Sequence, residues 1–292
     1  MSEVLSRLLA GISLSEDEAG GLLERLAGGT VEPALAGALL VALNRKGETV
    51  EEIRGFAGGM RALAVTPLFP EAAVEDAVDI VGTGGDGSGS LNLSTGSALL
   101  AAACGLPVIK HGNRSVTSRC GSADVLAELG LPMPLDPAAA RRCLEQTGFT
   151  FLFAPHYHPA MKSLGRVRRA LGVRTVFNML GPLTNPARPP HHVIGAWSEP
   201  VAERLARCLS GMRIRRGFVV HGEPGWDEAT PCGPFTLFDV RPGIVERRRR
   251  DPESVGIRRC RPEDLAGDTP AYNAASLRDA LSGTPGAHQD AL

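Results

Sequence analysis

The 292-residue sequence has no surplus of charge of either sign: 31 Lys and Arg residues stand against 32 Asp and Glu residues, for a formal net charge of −1. Proteins that bind nucleic acid through bulk charge need clustered basic residues, so this class is disfavoured. Aromatic residues are also scarce, at 4%. None of them interrupts the basic run ERRRR at 246–250, which we interpret as a solvated hairpin rather than a base-stacking anion surface.

Paired cysteines and long apolar runs are missing as well. None of the six cysteines forms a C-x-x-C motif, which argues against a zinc knuckle or a redox pair, and unpaired thiols fit a cytoplasmic protein. No apolar run approaches the roughly 18 residues that span a bilayer. The N-terminal segment has no basic stretch leading into an apolar core, as a signal peptide would have. We therefore expect a soluble, cytoplasmic protein that does not bind membranes.

What the sequence does contain indicates two domains of the α/β class. Residues 1–67 carry helical periodicity, with Ser15 and Thr49 as helix starts, and predict a small N-terminal helical domain, to which helices near 160–185 are joined. In 68–292, short apolar strands such as AVDIVG, LPVIKHG and HHVIGAW alternate with helices. This alternation predicts a larger α/β domain with a mostly parallel central sheet.

A glycine-rich loop, GTGGDG at 82–87, directly follows a predicted strand and matches G-x-G-x-x-G. A dinucleotide-binding unit would open its helix within this motif and place an acid roughly 20 residues further on. Here the helix begins only at about Ser94. The next strand ends at Lys110, a cation that suits phosphate rather than a ribose diol. We therefore reject a NAD site and interpret the loop and the following helix N-terminus as a phosphate cradle, the alternative being a plain turn with an N-cap.

A second loop, KHGNRSVTSR at 110–119, follows the next predicted strand. It places three cations, an amide and three hydroxyls within ten residues, which is more than a structural turn requires. Cations supply charge and hydroxyls supply direction to a ligand with many phosphate oxygens. Oxygens of Asp86 and Ser94 are also ligands that Mg²⁺ prefers.

These motifs carry a specific resemblance. GTGGDG, NLST, KHGNRSVTSRCGSADVL, FLFAPHYHPAMK, VRRALGVRTVFNMLGPLTNPA and HGEPGWDEATPCGP resemble, in order and spacing, those of the anthranilate phosphoribosyltransferase family. The resemblance implies a nucleoside phosphorylase/phosphoribosyltransferase-like fold and a homodimer formed through the helical domain. It also implies Mg²⁺-dependent transfer of ribose 5-phosphate from phosphoribosyl pyrophosphate (PRPP) to the amine of anthranilate.

Position within the motifs implies a role for each candidate residue. PRPP would be held by Gly82, Gly85, Asp86, Ser90, Asn92, Leu93, Ser94, Thr95, Lys110, His111, Gly112, Asn113, Arg114, Ser115, Val116, Thr117, Ser118 and Ser122. The metal would be bound by Ser94, Asp227 and Glu228. Anthranilate would meet Gly82, Asn113 and Arg168, with His111 and His158 lining its route.

The residues themselves leave some of these roles open. The adjacent carboxylates Asp227 and Glu228 are unfavourable neighbours unless a cation neutralises them, but a solvated turn explains them equally well. Arg168 would otherwise be interpreted as a surface residue, and His158 as structural. No Ser-His-Asp pattern supplies a covalent nucleophile.

Three alternatives remain: a pyrimidine nucleoside phosphorylase-like enzyme, a non-catalytic nucleic-acid-binding paralogue and an inactive scaffold. The first should lack the His-Gly-Asn of 111–113, and the second should be basic. The resemblance also implies further helices beyond HQDAL, so the chain looks truncated. We expect part of the α/β domain to be uncovered, with reduced stability or compensation by a dimer.

Overall fold

The computed structural model describes residues 1–114 and 119–292. The chain divides into two compact units. The helical unit comprises Met1–Thr66 and Pro155–Pro186, and the α/β unit comprises Pro67–Ala154 and Ala187–Leu292. Helices and strands are numbered separately along the chain.

Capping residues and a buried acid organise the helical unit. Ser15 and Glu18 form a capping box at one helix, and Thr49 and Glu52 form another, so both predicted starts are confirmed. Glu52 is fully buried; it accepts the Leu14 N–H at 2.9 Å and forms an ion pair with Lys46 at 2.8 Å. The helices are α1 (Ser2–Leu9), α2 (Glu16–Ala27), α3 (Pro33–Lys46) and α4 (Val50–Ala62), with α9 (Ala154–Tyr157), α10 (Lys162–Leu171) and α11 (Phe177–Leu180) following later in the chain.

Seven strands of the described residues form one sheet in the α/β unit, in the order β3-β2-β1-β4-β5-β6-β7. The pairs from β3 through β5 are parallel and the last two pairs are antiparallel, so the predicted mostly parallel sheet is confirmed. The strands are β1 (Val78–Gly82), β2 (Val108–Gly112), β3 (Phe149–Phe153), β4 (His191–Gly195), β5 (Arg216–Gly222), β6 (Phe235–Arg241) and β7 (Ile244–Arg250).

The strand order fixes where a ligand can bind. The chain moves outward from β1 through β2 to β3 and then returns to place β4 on the other side of β1. Open α/β sheets bind ligands beyond the carboxyl ends of their strands, at the point where the strand order reverses. Here that point lies between β1 and β4.

Helices flank this sheet along the chain. The run ERRRR lies in β7, hairpin-paired with β6 as predicted, and its Arg247 forms an ion pair with Glu199 at 2.6 Å. The helices of the α/β unit are α5 (Glu71–Val74), α6 (Leu93–Ala103), α7 (Ser122–Glu128), α8 (Pro137–Thr147), α12 (Glu199–Ser210), α13 (Pro270–Leu281) and α14 (Ala287–Ala291).

The short helix α14 is stabilised by packing rather than by its own length, since five residues cannot form a stable isolated helix. Ala287, Ala291 and Leu292 pack against an apolar cluster that includes Leu277 of α13. Gly96 of α6 makes room for this contact, because a Cβ there would lie 2.5 Å from a methyl of Leu292. Among the helices of residues 1–114 and 119–292, none is long and apolar enough to cross a bilayer.

Candidate active site

The glycines that end β1, β4 and β5, three neighbouring strands, leave room for the acidic pair Asp227 and Glu228. Gly82 of β1 is paired in register with Gly195 of β4. A Cβ at Gly195 would lie 1.5 Å from the carbonyl oxygen of Asp227, and a Cβ at Gly82 would lie 2.4 Å from its carboxylate. At Gly222 of β5, a Cβ would lie 2.1 Å from the carbonyl oxygen of Glu228. The main chain of Asp227 and Glu228 therefore lies directly over the strand ends, where any larger residue would displace it.

Hydrogen bonds draw the first glycine loop around these acids. The Gly84 N–H donates to the Asp227 carboxylate at 2.6 Å, and the Asp227 N–H donates to the Asp86 carboxylate at 3.2 Å. The Ser90 hydroxyl donates to the Glu228 carboxylate at 3.1 Å. Gly84 has φ +65° and the next residue, Gly85, has φ +73°; both are backbone conformations that favour glycine. The loop therefore wraps the two acids with its amides and hydroxyls.

Crowding of negative charge is the main electrostatic feature. Burial, together with the charge of Asp86, raises the pKa of Asp227 from its ordinary 3.8 to about 7. Burial and the charges of Asp227 and Asp86 raise the pKa of Glu228 well above its ordinary value. Asp227 is 7% exposed, which excludes the alternative of a solvated turn. A solvated carboxylate would need no cation, whereas this pair is unfavourable without one.

Lys110 of β2 provides a buried counter-charge. Its ammonium group donates to the Ser94 hydroxyl at 3.3 Å and also to the Ile80 carbonyl. Burial lowers its pKa to about 8, although the charges of Asp79, Glu228 and Asp227 oppose this shift. Lys110 therefore shares an electrostatic environment with the acidic pair.

Asp79 of β1 was not identified from the sequence. It is fully buried and accepts the His111 N–H at 3.1 Å, which fixes the beginning of the second loop. A single acid inside the apolar segment AVDIVG is the signal that could have revealed it, since such a buried charge requires partners.

The helix α6 presents its N-terminus to the same place. Its backbone at Ser94 donates to the Glu228 carboxylate, which partly offsets the rise in the pKa of that acid. Asn92 occupies the N-cap position, but its side chain makes no capping bond. An anion at a helix N-terminus is favoured by the free amides and the helix dipole.

The structure brings most of the predicted residues of the α/β unit to this edge of the sheet. The first loop, the N-terminus of α6, Lys110 and the acidic pair are connected by the contacts described above. At the second loop, the Ser122 hydroxyl donates to the Asn113 carbonyl at 3.0 Å, and the Arg114 N–H donates to the Asn113 side chain at 2.7 Å. Four predicted residues lie outside the described residues: Ser115, Val116, Thr117 and Ser118.

Two further candidates belong to the helical unit. The Arg168 guanidinium lies 4.9 Å from the centre of the Phe177 ring, and desolvation lowers its pKa even though part of the side chain is exposed. Within the described residues, no carboxylate forms an ion pair with it. His158 is buried and contacts backbone groups of Met60 and Thr184, and burial lowers its pKa. The surroundings of His158 support a structural role.

Comparison with known proteins identifies the family of this chain. Residues 74–292 match the α/β domain of a glycosyl transferase family, and residues 2–64 match the helical bundle domain of the same family. Over all 292 residues, the chain is 46% identical to the anthranilate phosphoribosyltransferase of Pelotomaculum thermopropionicum, of which it covers 84%. The chain belongs to the anthranilate phosphoribosyltransferase family.

Other members of this family are similar to the chain in sequence and in structure. The enzyme of Methylobacterium radiotolerans is 47% identical over 286 residues, which are 98% of this chain and 82% of that protein. The crystal structure from Thermus thermophilus has a TM-score of 0.90 at 44% identity and covers 99% of this chain and 85% of that one. A structure from Saccharomyces cerevisiae in complex with PRPP and Mg has a TM-score of 0.87 at 25% identity, with the same coverage. Neither the nucleoside phosphorylase nor the nucleic-acid-binding alternative is favoured.

The side chains present fit the Mg²⁺ ion that this family implies, if water and substrate phosphates supply the rest of its coordination shell. Asp227, Glu228 and Ser94 offer hard oxygen ligands, and the raised carboxylate pKa values indicate negative charge that Lys110 does not fully neutralise. Among the described residues, no group of three or more His, Cys, Asp or Glu side chains could hold a metal ion. Such a partial set is typical of Mg²⁺, which takes its remaining ligands from water and substrate phosphates.

The raised pKa of Asp227 predicts how stability depends on pH in the absence of metal. The folded-state pKa is about 7 and the ordinary value is 3.8, so protonation of this acid stabilises the fold below pH 4, and that contribution is lost as the pH rises to 7. We expect Asp227→Asn in EDTA to be more stable than the wild type above pH 7, by up to about 4 kcal/mol, and the two to converge near pH 4. Thermal unfolding at several pH values measures this difference.

The matched control is Asp279→Asn, an exposed acid on α13, which should follow the wild type at every pH. Added Mg²⁺ should stabilise the wild type and the control at pH 7.5 and should have little effect on Asp227→Asn. Parallel pH profiles for wild type and Asp227→Asn would show that Asp227 titrates normally.

Proposed function

We propose that this protein transfers ribose 5-phosphate from PRPP to the amine of anthranilate, releasing pyrophosphate, with Mg²⁺ as cofactor. The observation that carries this proposal is the convergence of both phosphate loops, Lys110 and the acidic pair at one edge of the sheet. The enzymes of P. thermopropionicum and M. radiotolerans bear the same activity in their names, and a yeast relative binds PRPP and Mg.

The arrangement supports a direct displacement at C1 of the ribose. The bond between the anthranilate nitrogen and C1 forms as the bond from C1 to the pyrophosphate oxygen breaks, and the amine loses a proton. When bound, Mg²⁺ neutralises charge on the departing pyrophosphate. The amides of the first loop, the N-terminus of α6 and Lys110 bind and orient the phosphates. No covalent nucleophile is required, so positioning and electrostatic stabilisation account for the catalysis.

A direct assay follows the loss of anthranilate fluorescence on addition of PRPP, with and without Mg²⁺. We expect transfer by the wild type with Mg²⁺ and a fall of about 10²–10³ in turnover for Glu228→Gln, since a site for charge stabilisation is lost. Glu203→Gln, an exposed acid on α12, is the control and should retain full activity. Wild-type turnover by Glu228→Gln at limiting Mg²⁺ would overturn the metal role, and absence of transfer by the wild type would overturn the function.

Arg168 supports the choice of an aromatic acid as acceptor. An exposed guanidinium stacked on Phe177, without a carboxylate partner among the described residues, is suited to bind a ligand carboxylate. We propose that Arg168 binds the carboxylate of anthranilate, while Gly82, Asn113, His111 and His158 stay as predicted contacts.

Removal of this guanidinium should weaken binding of anthranilate selectively. We expect Arg168→Leu to raise the KM for anthranilate about 10- to 100-fold, the value of a charged hydrogen bond, and to leave the KM for PRPP within about twofold. The neighbouring Arg169→Leu is the control, expected to behave like the wild type. Equal effects on both KM values would show that Arg168 acts on the fold and not on the acceptor.

The helical unit also carries an apolar groove suited to a second copy of the chain. Helices α3 and α10 border a cavity of about 1020 Å³, lined mostly by small and apolar residues together with Lys162 and Arg166, and Val41 within it is 43% exposed. Contiguous exposed apolar surface of this kind is typical of protein interfaces. We propose that the protein is a homodimer formed through this groove. None of the six cysteines forms a disulfide bond in the part of the chain that the structure describes, and we further propose that the dimer functions in the cytoplasm.

A charge placed in the groove should separate the dimer. We expect the wild type to sediment as a dimer at micromolar concentration and Val41→Glu to sediment as a monomer, because a carboxylate would be desolvated in the interface. Val173→Glu, an exposed position of the helical unit outside the groove, should remain dimeric. A monomeric wild type, or a dimeric Val41→Glu, would refute this interface.

A further inference from the structure

A relay of side-chain amides connects α13 to both phosphate loops. Asn273 of α13 is 2% exposed; its Oδ1 accepts the Asp268 N–H at 2.7 Å, and its Nδ2 donates to the Oδ1 of Asn92 at 2.9 Å. Asn92, in turn, donates its Nδ2 to the Cys120 carbonyl at 3.2 Å. The relay thus runs from α13, through the residue that precedes α6, to the end of the second loop.

Backbone groups fix the direction of this relay at both ends. A main-chain N–H only donates and a carbonyl only accepts, so neither amide can reverse without losing a hydrogen bond. This has a consequence at Asn92, because asparagine is among the preferred N-cap residues and yet this side chain makes no capping bond to α6. The relay directs the amide toward Cys120, so it does not compete with an anion for the N-terminal amides of α6.

The chain segment 265–273, which ends at Asn273, also contacts both loops independently of the relay. The Asp268 carboxylate forms an ion pair with Arg119 of the second loop. The backbone contacts with residues 89–91, which connect the first loop to α6, are Leu91 N to Leu265 O at 2.9 Å, Gly267 N to Gly89 O at 2.8 Å, and a bridge between Ser90 and Ala266. These contacts, together with the relay, form a brace from segment 265–273 to Arg119 and to residues 89–91.

We propose that Asn273 is a positioning residue for the PRPP site. It fixes the orientation of Asn92 and, through it, the spacing between the N-terminus of α6 and Cys120, which follows the second loop. Asn273 does not bind the substrate; it acts through Asn92. This inference rests on the proposed function, because it assigns to the brace the task of preorganising a site that has to bind several phosphate groups at once.

Two substitutions test the relay by different means. Asn273→Asp keeps the bond from the Asp268 N–H but cannot donate to Asn92 when ionised, and Asn273→Leu removes the amide without adding charge. We expect each to raise the dissociation constant of PRPP, measured by calorimetry with Mg²⁺, by about tenfold or more, since at least the hydrogen bond to Asn92 and the spacing that it sets are lost. The KM for anthranilate should stay within about twofold. PRPP affinity within twofold of the wild type in either variant would overturn the proposal.

The matched control weakens the same helix without touching the relay. Ala280→Gly, near the other end of α13, should lower the unfolding temperature and leave the dissociation constant of PRPP within about twofold. If Ala280→Gly weakened binding as much as Asn273→Leu, the role of Asn273 would be structural and the proposal would fail.

The outcomes also separate this inference from the function on which it rests. A wild type that neither binds PRPP nor transfers its ribose phosphate would refute the function, whereas an active wild type with fully competent variants would refute the role of Asn273 alone. If either variant were too unstable for calorimetry, the rise in its unfolding temperature on adding PRPP and Mg²⁺ would replace the measurement. A rise equal to that of Ala280→Gly would overturn the proposal, and a smaller rise would support it.

Discussion

Repulsion among closely spaced carboxylates is the constraint on which the site depends. Asp86, Asp227 and Glu228 share one edge of the sheet, and burial raises the pKa of the latter two. Lys110 offsets part of this charge, but its own pKa is lowered by the same burial. An arrangement of this kind is unfavourable in isolation and becomes favourable when a cation and its phosphate ligands enter. The free energy needed to hold it comes from the rest of the α/β unit.

The strand ends supply much of that support. Gly82, Gly195 and Gly222 terminate three adjacent strands, β1, β4 and β5, and the acidic segment lies against all three. The absence of side chains lets the backbone of this segment approach the sheet, so the carboxylates face the first loop at hydrogen-bonding distance. The same strands border the reversal of strand order, where α/β sheets bind ligands. The strand order and the glycines at the strand ends therefore indicate the same position for the ligand.

Local patterns in the sequence were sufficient to predict the fold class and the two loops. Alternating strands and helices place successive loops at one edge of a parallel sheet, and this edge effect brought Asp86, Lys110 and Glu228 together as expected. The sequence could not decide whether Asp227 lies in a solvated turn, because its burial depends on glycines at 82 and 195 that become neighbours only when β4 pairs with β1. The contributions of Asp79 and Asn273 were missed for a similar reason. The roles of this buried acid and this helical asparagine become evident only from hydrogen-bond partners that lie 32 and 181 residues away in the sequence.

Glycine gives the first loop its ability to wrap an anion, and it also gives that loop conformational freedom that binding must remove. Each residue fixed on binding costs roughly 1–2 kcal/mol of backbone entropy, so a loop that is ordered beforehand binds more tightly than one that becomes ordered on contact. The contacts from segment 265–273 to Gly89, Ser90 and Leu91 order the end of the loop before any ligand arrives. The amide relay extends that order to Cys120, which follows the second loop. A site that has to hold crowded acids apart and bind phosphates together requires both loops to be fixed to a third element, and α13 with the segment before it meets that requirement.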